Sequence, residues 1–131
     1  TAESCTGGRV AERITALPGV SSVYRGGVVS YWTSVKAAVL GVPQETLDQY
    51  GAVSEETARA MAEGARQITG ADIAVSVTGV AGPDRDERDN PVGLVYIGLA
   101  TPEGTFCRRK ELAANHALDV VRRYLTGLPI G

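Results

Sequence analysis

Two runs, Ala71 to Thr78 and Val92 to Ala100, are β-branched and mostly apolar with little polar alternation. A strand of that kind needs cover on both faces. The rest of the chain supplies it as helical segments. Val10, Ile14 and Leu17 recur at helical spacing before Pro18 and Gly19. Lys36 to Leu40 and Gln44 to Tyr50 lie either side of Gly41-Val42-Pro43. Ser54 and Thr57 with Glu55 and Glu56 give a cap and an acidic first turn to a helix that presents Ala58, Met61, Ala62, Ala65 and Ile68 and ends at Thr69-Gly70. Val20 to Tyr24 and Val28 to Tyr31 are strand-like stretches, Thr105 to Leu112 is an edge strand following a turn, and residues 113–125 form a closing helix. This alternation predicts a three-layer α/β/α domain around a mixed, mainly parallel sheet, with one antiparallel hairpin near the end. The 131 residues suffice for one domain with its own core. The absence of an initial Met, inside what reads as the end of a strand, points to a trimmed N-terminus.

A net charge of −2 and a pI near 5.4 argue against binding of nucleic-acid phosphates, which needs a clustered basic surface. The Arg pairs 108–109 and 122–123 are local exceptions, and 5% aromatics supply few stacking platforms. No apolar run reaches the roughly 18 to 20 residues that span a bilayer, and no secretory signal is visible. The expectation is a cytoplasmic protein without membrane or nucleic-acid partners. Cys5 and Cys107 lack metal-ligand spacing, and His116 is the single histidine, so neither a metal nor a cofactor is expected. The thiols are expected to be free.

Three segments have the composition of a site. Glu3 to Gly8 places two hydroxyls, a thiol and a carboxylate ahead of a helix, whose first N–H groups stabilise anions. Tyr31 and Lys36 lie five residues apart where an extended segment passes into a helix. A lysine with a lowered pKa activates a serine hydroxyl, and a tyrosine relays protons. Thr78-Gly79-Val80-Ala81-Gly82-Pro83 offers backbone N–H groups at a strand end. Neither a Walker loop nor G-x-G-x-x-G occurs. The run Asp84 to Asp89 reads as a mobile, solvated loop.

Together Ala2 to Gly8, Gly26 to Tyr31 with Lys36, Gly51 to Ser54, Thr78 to Pro83 and Pro91 to Gly93 resemble, in order and spacing, the CinA carboxy-terminal domain family, over roughly residues 1 to 105. The resemblance implies metal-independent hydrolysis of the carboxamide of nicotinamide mononucleotide to nicotinic acid mononucleotide and ammonia, and a homodimer or larger homo-oligomer. It implies Ser4, Ser21, Tyr31, Lys36 and Thr78 as polar active-site residues. Ser4 is expected as nucleophile with Ser21 as its rival, and Lys36 as base. The substrate phosphate is expected on N–H groups around Thr6, Gly7 and Gly8 or from Thr78 through Gly79 to Gly82. Relatives carry an arginine-containing segment before the last helix that is missing here, and Arg108 or Arg109 is its expected substitute. The chain also departs from the family at Trp32 to Val35 and at Asp84 to Asp89. The alternatives are a non-catalytic nucleotide-binding module and a serine amidohydrolase with another amide substrate.

Overall fold

The computed structural model describes residues 1–111, 122–123 and 126–129. Five strands, β1 (Ala2–Glu3), β2 (Val28–Val29), β3 (Ala74–Gly79), β4 (Val95–Thr101) and β5 (Gly104–Lys110), form one sheet in the order β2-β1-β3-β4-β5. Four helices are described: α1 (Arg9–Thr15), α2 (Thr33–Ala38), α3 (Gln44–Tyr50) and α4 (Glu55–Thr69). The sheet is mixed, as expected, but parallel pairing does not dominate it. β1 pairs in parallel with β2 and β3 over two residue pairs each, whereas β3–β4 and β4–β5 are longer antiparallel ladders. The connection from β3 to β4 carries no helix, so β4 returns beside β3 in the opposite direction.

Alternate residues of β1 and β3 send side chains to opposite faces. Ala2 and Ala74 pack with Met61 and Ala65 of α4, together with Leu40, Val42 and Leu47. On the other face Val75 and Val77 join Ile97 and Leu99 of β4 and Val10 of α1. Helices therefore cover both faces of β3, and its run of five buried residues follows. The expected closing helix, 113–125, falls largely outside the described residues, as does His116.

α4 begins as its sequence dictates, with Ser54 Oγ accepting from Thr57 N at 3.2 Å, and ends on Gly70 at φ 68°. Its seat on the sheet depends on small residues. Ser76 Oγ donates to the Ala58 carbonyl at 2.5 Å. The neighbouring Gly98 has no room for a Cβ beneath that carbonyl. The stretch Val20 to Tyr24, expected to be strand-like, instead opens with a 3-10 turn at Val20–Ser22. Gly19 enters it at φ 78° and Val23 is 76% exposed. Among the described residues none of this stretch pairs with a strand of the sheet, so its β-branched residues join no ladder.

Gly98→Ala forces α4 away from the sheet and is expected to cost about 1–3 kcal/mol of stability. Urea denaturation of the variant beside wild type measures this.

Candidate active site

The parallel strands β1, β2 and β3 all end at one edge of the sheet, and their carboxyl ends deliver Ser4, Ser30 and Gly79 to it. A pocket of about 210 Å³ opens there, lined by Ser4, Cys5, Tyr31, Lys36, Thr78 and Gly79, with Gly82, Asp84 and Asp86 on the following loop. Ser4 extends β1 by one hydrogen bond, from its N–H to the Val77 carbonyl at 3.0 Å.

Lys36 sits in the first turns of α2, and helical side chains lean back toward the N-terminus of their own helix. Its ammonium accordingly reaches residues that precede the helix. Nζ lies 2.9 Å from Ser4 Oγ, 2.7 Å from the Ser30 carbonyl and 3.4 Å from the Tyr31 carbonyl. The residue is 1% exposed, and no carboxylate pairs with it among the described residues. Burial lowers its pKa from 10.5 to about 8, opposed by the Cys5 sulfur. With three protons the nitrogen donates to all three oxygens. With two, the carbonyls take both N–H bonds and the lone pair is left for the proton of Ser4.

The turn bearing Ser4 is fixed by Glu3. Its Oε1 accepts from Thr6 Oγ1 at 2.6 Å and from Val10 N at 2.9 Å, and its Oε2 accepts from Ala11 N at 2.9 Å. A side chain of this chain thus occupies the positive end of α1. The N–H groups expected to hold a substrate phosphate, around Thr6, Gly7 and Gly8, adjoin this carboxylate. The Thr6 hydroxyl bonds Glu3, and the Gly7 N–H donates to the Ser4 carbonyl at 3.0 Å. Gly8, at φ 106°, serves as the residue before the helix. The Cys5 amide, next to Ser4, faces its own sulfur and favours the thiolate there.

Other expected residues separate. Ser21 is exposed, on the turn between Val20 and Ser22, and that turn lies by Tyr24 at the amino end of β1, where Tyr24 bonds Thr1. It does not line the pocket, which removes it as a rival nucleophile. Thr78 lines the pocket, yet its hydroxyl donates to the Ala52 carbonyl at 2.6 Å and thereby holds the α3–α4 connector as a pocket wall. Arg108 and Arg109 are on the edge strand β5, and Arg109 lines a separate cleft with Lys110 and Pro91 to Leu94. Tyr96 stands between Thr78 and Arg109 in the ladder, so neither arginine joins Ser4. Cys5 and Cys107 are free thiols. Burial raises both pKa values, that of Cys107 to about 12.

The sequence alone did not assign roles to Glu3 or to the Ser30 carbonyl. The acidic run is not simply solvated. Asp86 accepts from the backbone N–H groups of Arg88 and Asn90 and from Asn90 Nδ2, while Arg88 bonds the carbonyls of Asp48 and Gln49 at the end of α3. Alternating short-range Asp and Asn was the available signal for such a self-bonded loop.

The CinA C-terminal domain family matches residues 1–126. This chain belongs to that family. It is 49% identical over 140 residues to a protein named as competence-damage inducible in Caldanaerobacter subterraneus, covering 99% of this chain and 34% of that protein. A CinA-like protein of Desulfovibrio desulfuricans is 46% identical, with 98% and 33% covered. The chain therefore spans about a third of the length of these curated relatives. Among solved structures, the competence damage-inducible protein A of Klebsiella pneumoniae superposes with a TM-score of 0.91 at 34% identity, over 95% of this chain and 84% of that one. The competence/damage inducible protein of Agrobacterium tumefaciens gives 0.80 at 39% identity, over 90% and 72%.

Glu3→Gln keeps the side-chain shape but replaces one acceptor oxygen by a donor facing an N–H or a hydroxyl. It is expected to lower stability by about 1–3 kcal/mol. Thermal unfolding beside wild type reads the loss, and an unchanged melting temperature contradicts the clamp.

Proposed function

We propose that this domain hydrolyses a carboxamide through an acyl-enzyme on Ser4, with Lys36 as general base. Nicotinamide mononucleotide is the substrate suggested by its membership of the CinA C-terminal domain family. The observation that carries the reading is the 2.9 Å contact of Ser4 Oγ with a buried lysine whose remaining partners are carbonyls. A serine hydroxyl is a weak nucleophile until a base takes its proton. A lysine near pKa 8 is about one-tenth neutral at pH 7, which suffices for a base.

In the first step the neutral Lys36 nitrogen takes the Ser4 proton as Oγ attacks the amide carbon. The tetrahedral oxyanion is met by backbone N–H groups of the pocket, with the Cys5 N–H next to Ser4 in sequence. The Lys36 ammonium then gives its proton to the amide nitrogen, the C–N bond breaks and ammonia leaves. Water, deprotonated by the same lysine, attacks the acyl carbon and releases the carboxylate and Ser4. Tyr31, 59% exposed at the rim, is placed against the substrate rather than in this proton path.

Ammonia release from nicotinamide mononucleotide, with the riboside and free nicotinamide beside it, tests the assignment. Ser4→Ala and Lys36→Ala are expected to lower kcat by roughly 10³-fold. Lys36→Arg restores nothing, because arginine does not deprotonate. For wild type, kcat/KM rises with pH and levels above about 8, since the base must be neutral. Full activity in Lys36→Ala, or no ammonia from folded wild type, contradicts the reading.

A further inference from the structure

We propose that Arg88 is a positioning residue of this pocket. By fastening the loop after β3 to the end of α3 it holds two pocket walls together, and so sets affinity while leaving the Ser4–Lys36 chemistry alone. The proposal deepens the hydrolytic reading and rests on it for its kinetic consequences.

One wall is the α3–α4 connector, which contributes Ala52 and Val53, and the other is the loop after β3, which contributes Gly82, Asp84 and Asp86. The connector is held from several sides. Thr78 donates to the Ala52 carbonyl, and the hydroxyls of Ser54 and Thr57 both donate to the Gly51 carbonyl, at 3.1 and 2.6 Å. The loop has no such support. At its base Val80 N donates to the Leu94 carbonyl and Gly93 N to the Val80 carbonyl, both at 2.9 Å. Beyond that base, among the described residues, the hydrogen bonds that leave residues 81–90 are the two made by the Arg88 side chain.

Those two bonds go to a place suited to them. Arg88 donates to the carbonyls of Asp48, at 2.5 Å, and Gln49, at 3.1 Å. They lie in the last turn of α3, where carbonyls lack helical partners and carry the negative end of the dipole. The side chain crosses Gly51, at φ 83°, where a Cβ would stand 2.5 Å from Cδ and Nε of Arg88. Glycine therefore serves both the turn and the crossing. The backbone that carries Arg88 is fixed in turn by Asp86, which accepts from Arg88 N at 3.0 Å, Asn90 N at 2.8 Å and Asn90 Nδ2 at 2.9 Å.

The reacting pair is held by other parts of the chain. Ser4 N bonds the Val77 carbonyl, and Lys36 bonds Ser4 and the carbonyls of Ser30 and Tyr31. None of these belongs to the loop or to α3. Releasing Arg88 thus loosens the walls around a substrate and leaves the base and nucleophile in contact.

The test compares Arg88→Ala and Arg88→Lys with Arg85→Ala, a control because Arg85 pairs with Asp89 inside the loop. With nicotinamide mononucleotide, Arg88→Ala is expected to raise KM about tenfold and to leave kcat within about twofold. The pH midpoint stays near 8. Arg88→Lys keeps the charge but not the two-pronged contact, and recovers part of the affinity. Arg85→Ala stays within about twofold of wild type, as a local surface pair predicts. Hydrogen exchange of the unliganded chain supplies a readout without turnover: Arg88→Ala speeds exchange in residues 81–90 and spares β3 and α4, which shows the fold intact. An unchanged KM, an equal rise in Arg85→Ala, a fall in kcat as large as the rise in KM, or unchanged exchange overturns the proposal. If folded wild type releases no ammonia, the hydrolytic reading fails separately. Alkylation of Cys5, a thiol of the same pocket, then decides: faster labelling in Arg88→Ala than in Arg85→Ala upholds the fastening, and equal rates overturn it.

Discussion

A lysine buried to 1% exposure with only uncharged oxygens around it is the constraint on which the site depends. Its ammonium loses hydration and gains no carboxylate partner among the described residues, so the folded chain resists protonating it. Lowering the pKa from 10.5 to about 8 corresponds to about 3 kcal/mol. Below pH 8 the folded and unfolded chains both carry the proton, and the folded state bears the whole of this cost. Between pH 8 and 10.5 the unfolded chain binds more protons than the folded one, so the penalty fades as pH rises. The same environment that weakens the fold at neutral pH makes Lys36 available as a base.

The geometry that imposes this burial comes from a very short strand. β1 contributes only Ala2 and Glu3, yet it lies between β2 and β3, and its two side chains do opposite work. Ala2 enters the core beneath α4, while Glu3 turns to the other face and takes the amides of Val10 and Ala11. The Glu3 carbonyl receives Ser30 N at 2.7 Å, which brings the Ser30 carbonyl to the lysine. Strand pairing, the start of α1 and the position of Ser4 are thus coupled through one residue. An anion already belonging to the chain fills the helix terminus.

Much of the architecture was legible because it follows from periodicity. The buried run of β3, the capped helix α4 and the β4–β5 hairpin each carry their own local signal in Ala71 to Thr78, Ser54 to Thr57 and the turn after Ala100. The direction of β4 was not legible, since an apolar run reads alike in parallel and antiparallel sheets. The turn at Val20–Ser22 shows tertiary context overriding β propensity. Within the site, the spacing of Tyr31 and Lys36 marked the lysine, and the family pattern joined it to Ser4. The family pattern also carried Ser21, which the chain path places at the other end of β1.

The most direct measurement is a titration of the Lys36 side chain by carbon-detected NMR, following its ε-methylene in lysine-labelled protein. Only Lys36 and Lys110 need be told apart, and Lys36→Ala assigns the signal. The account predicts a midpoint near pH 8 for Lys36, moving when Ser4 is changed to Ala because the two groups touch. A midpoint near 10.5, the ordinary lysine value, insensitive to Ser4, would contradict a buried serine–lysine pair and with it the chemistry built on that contact.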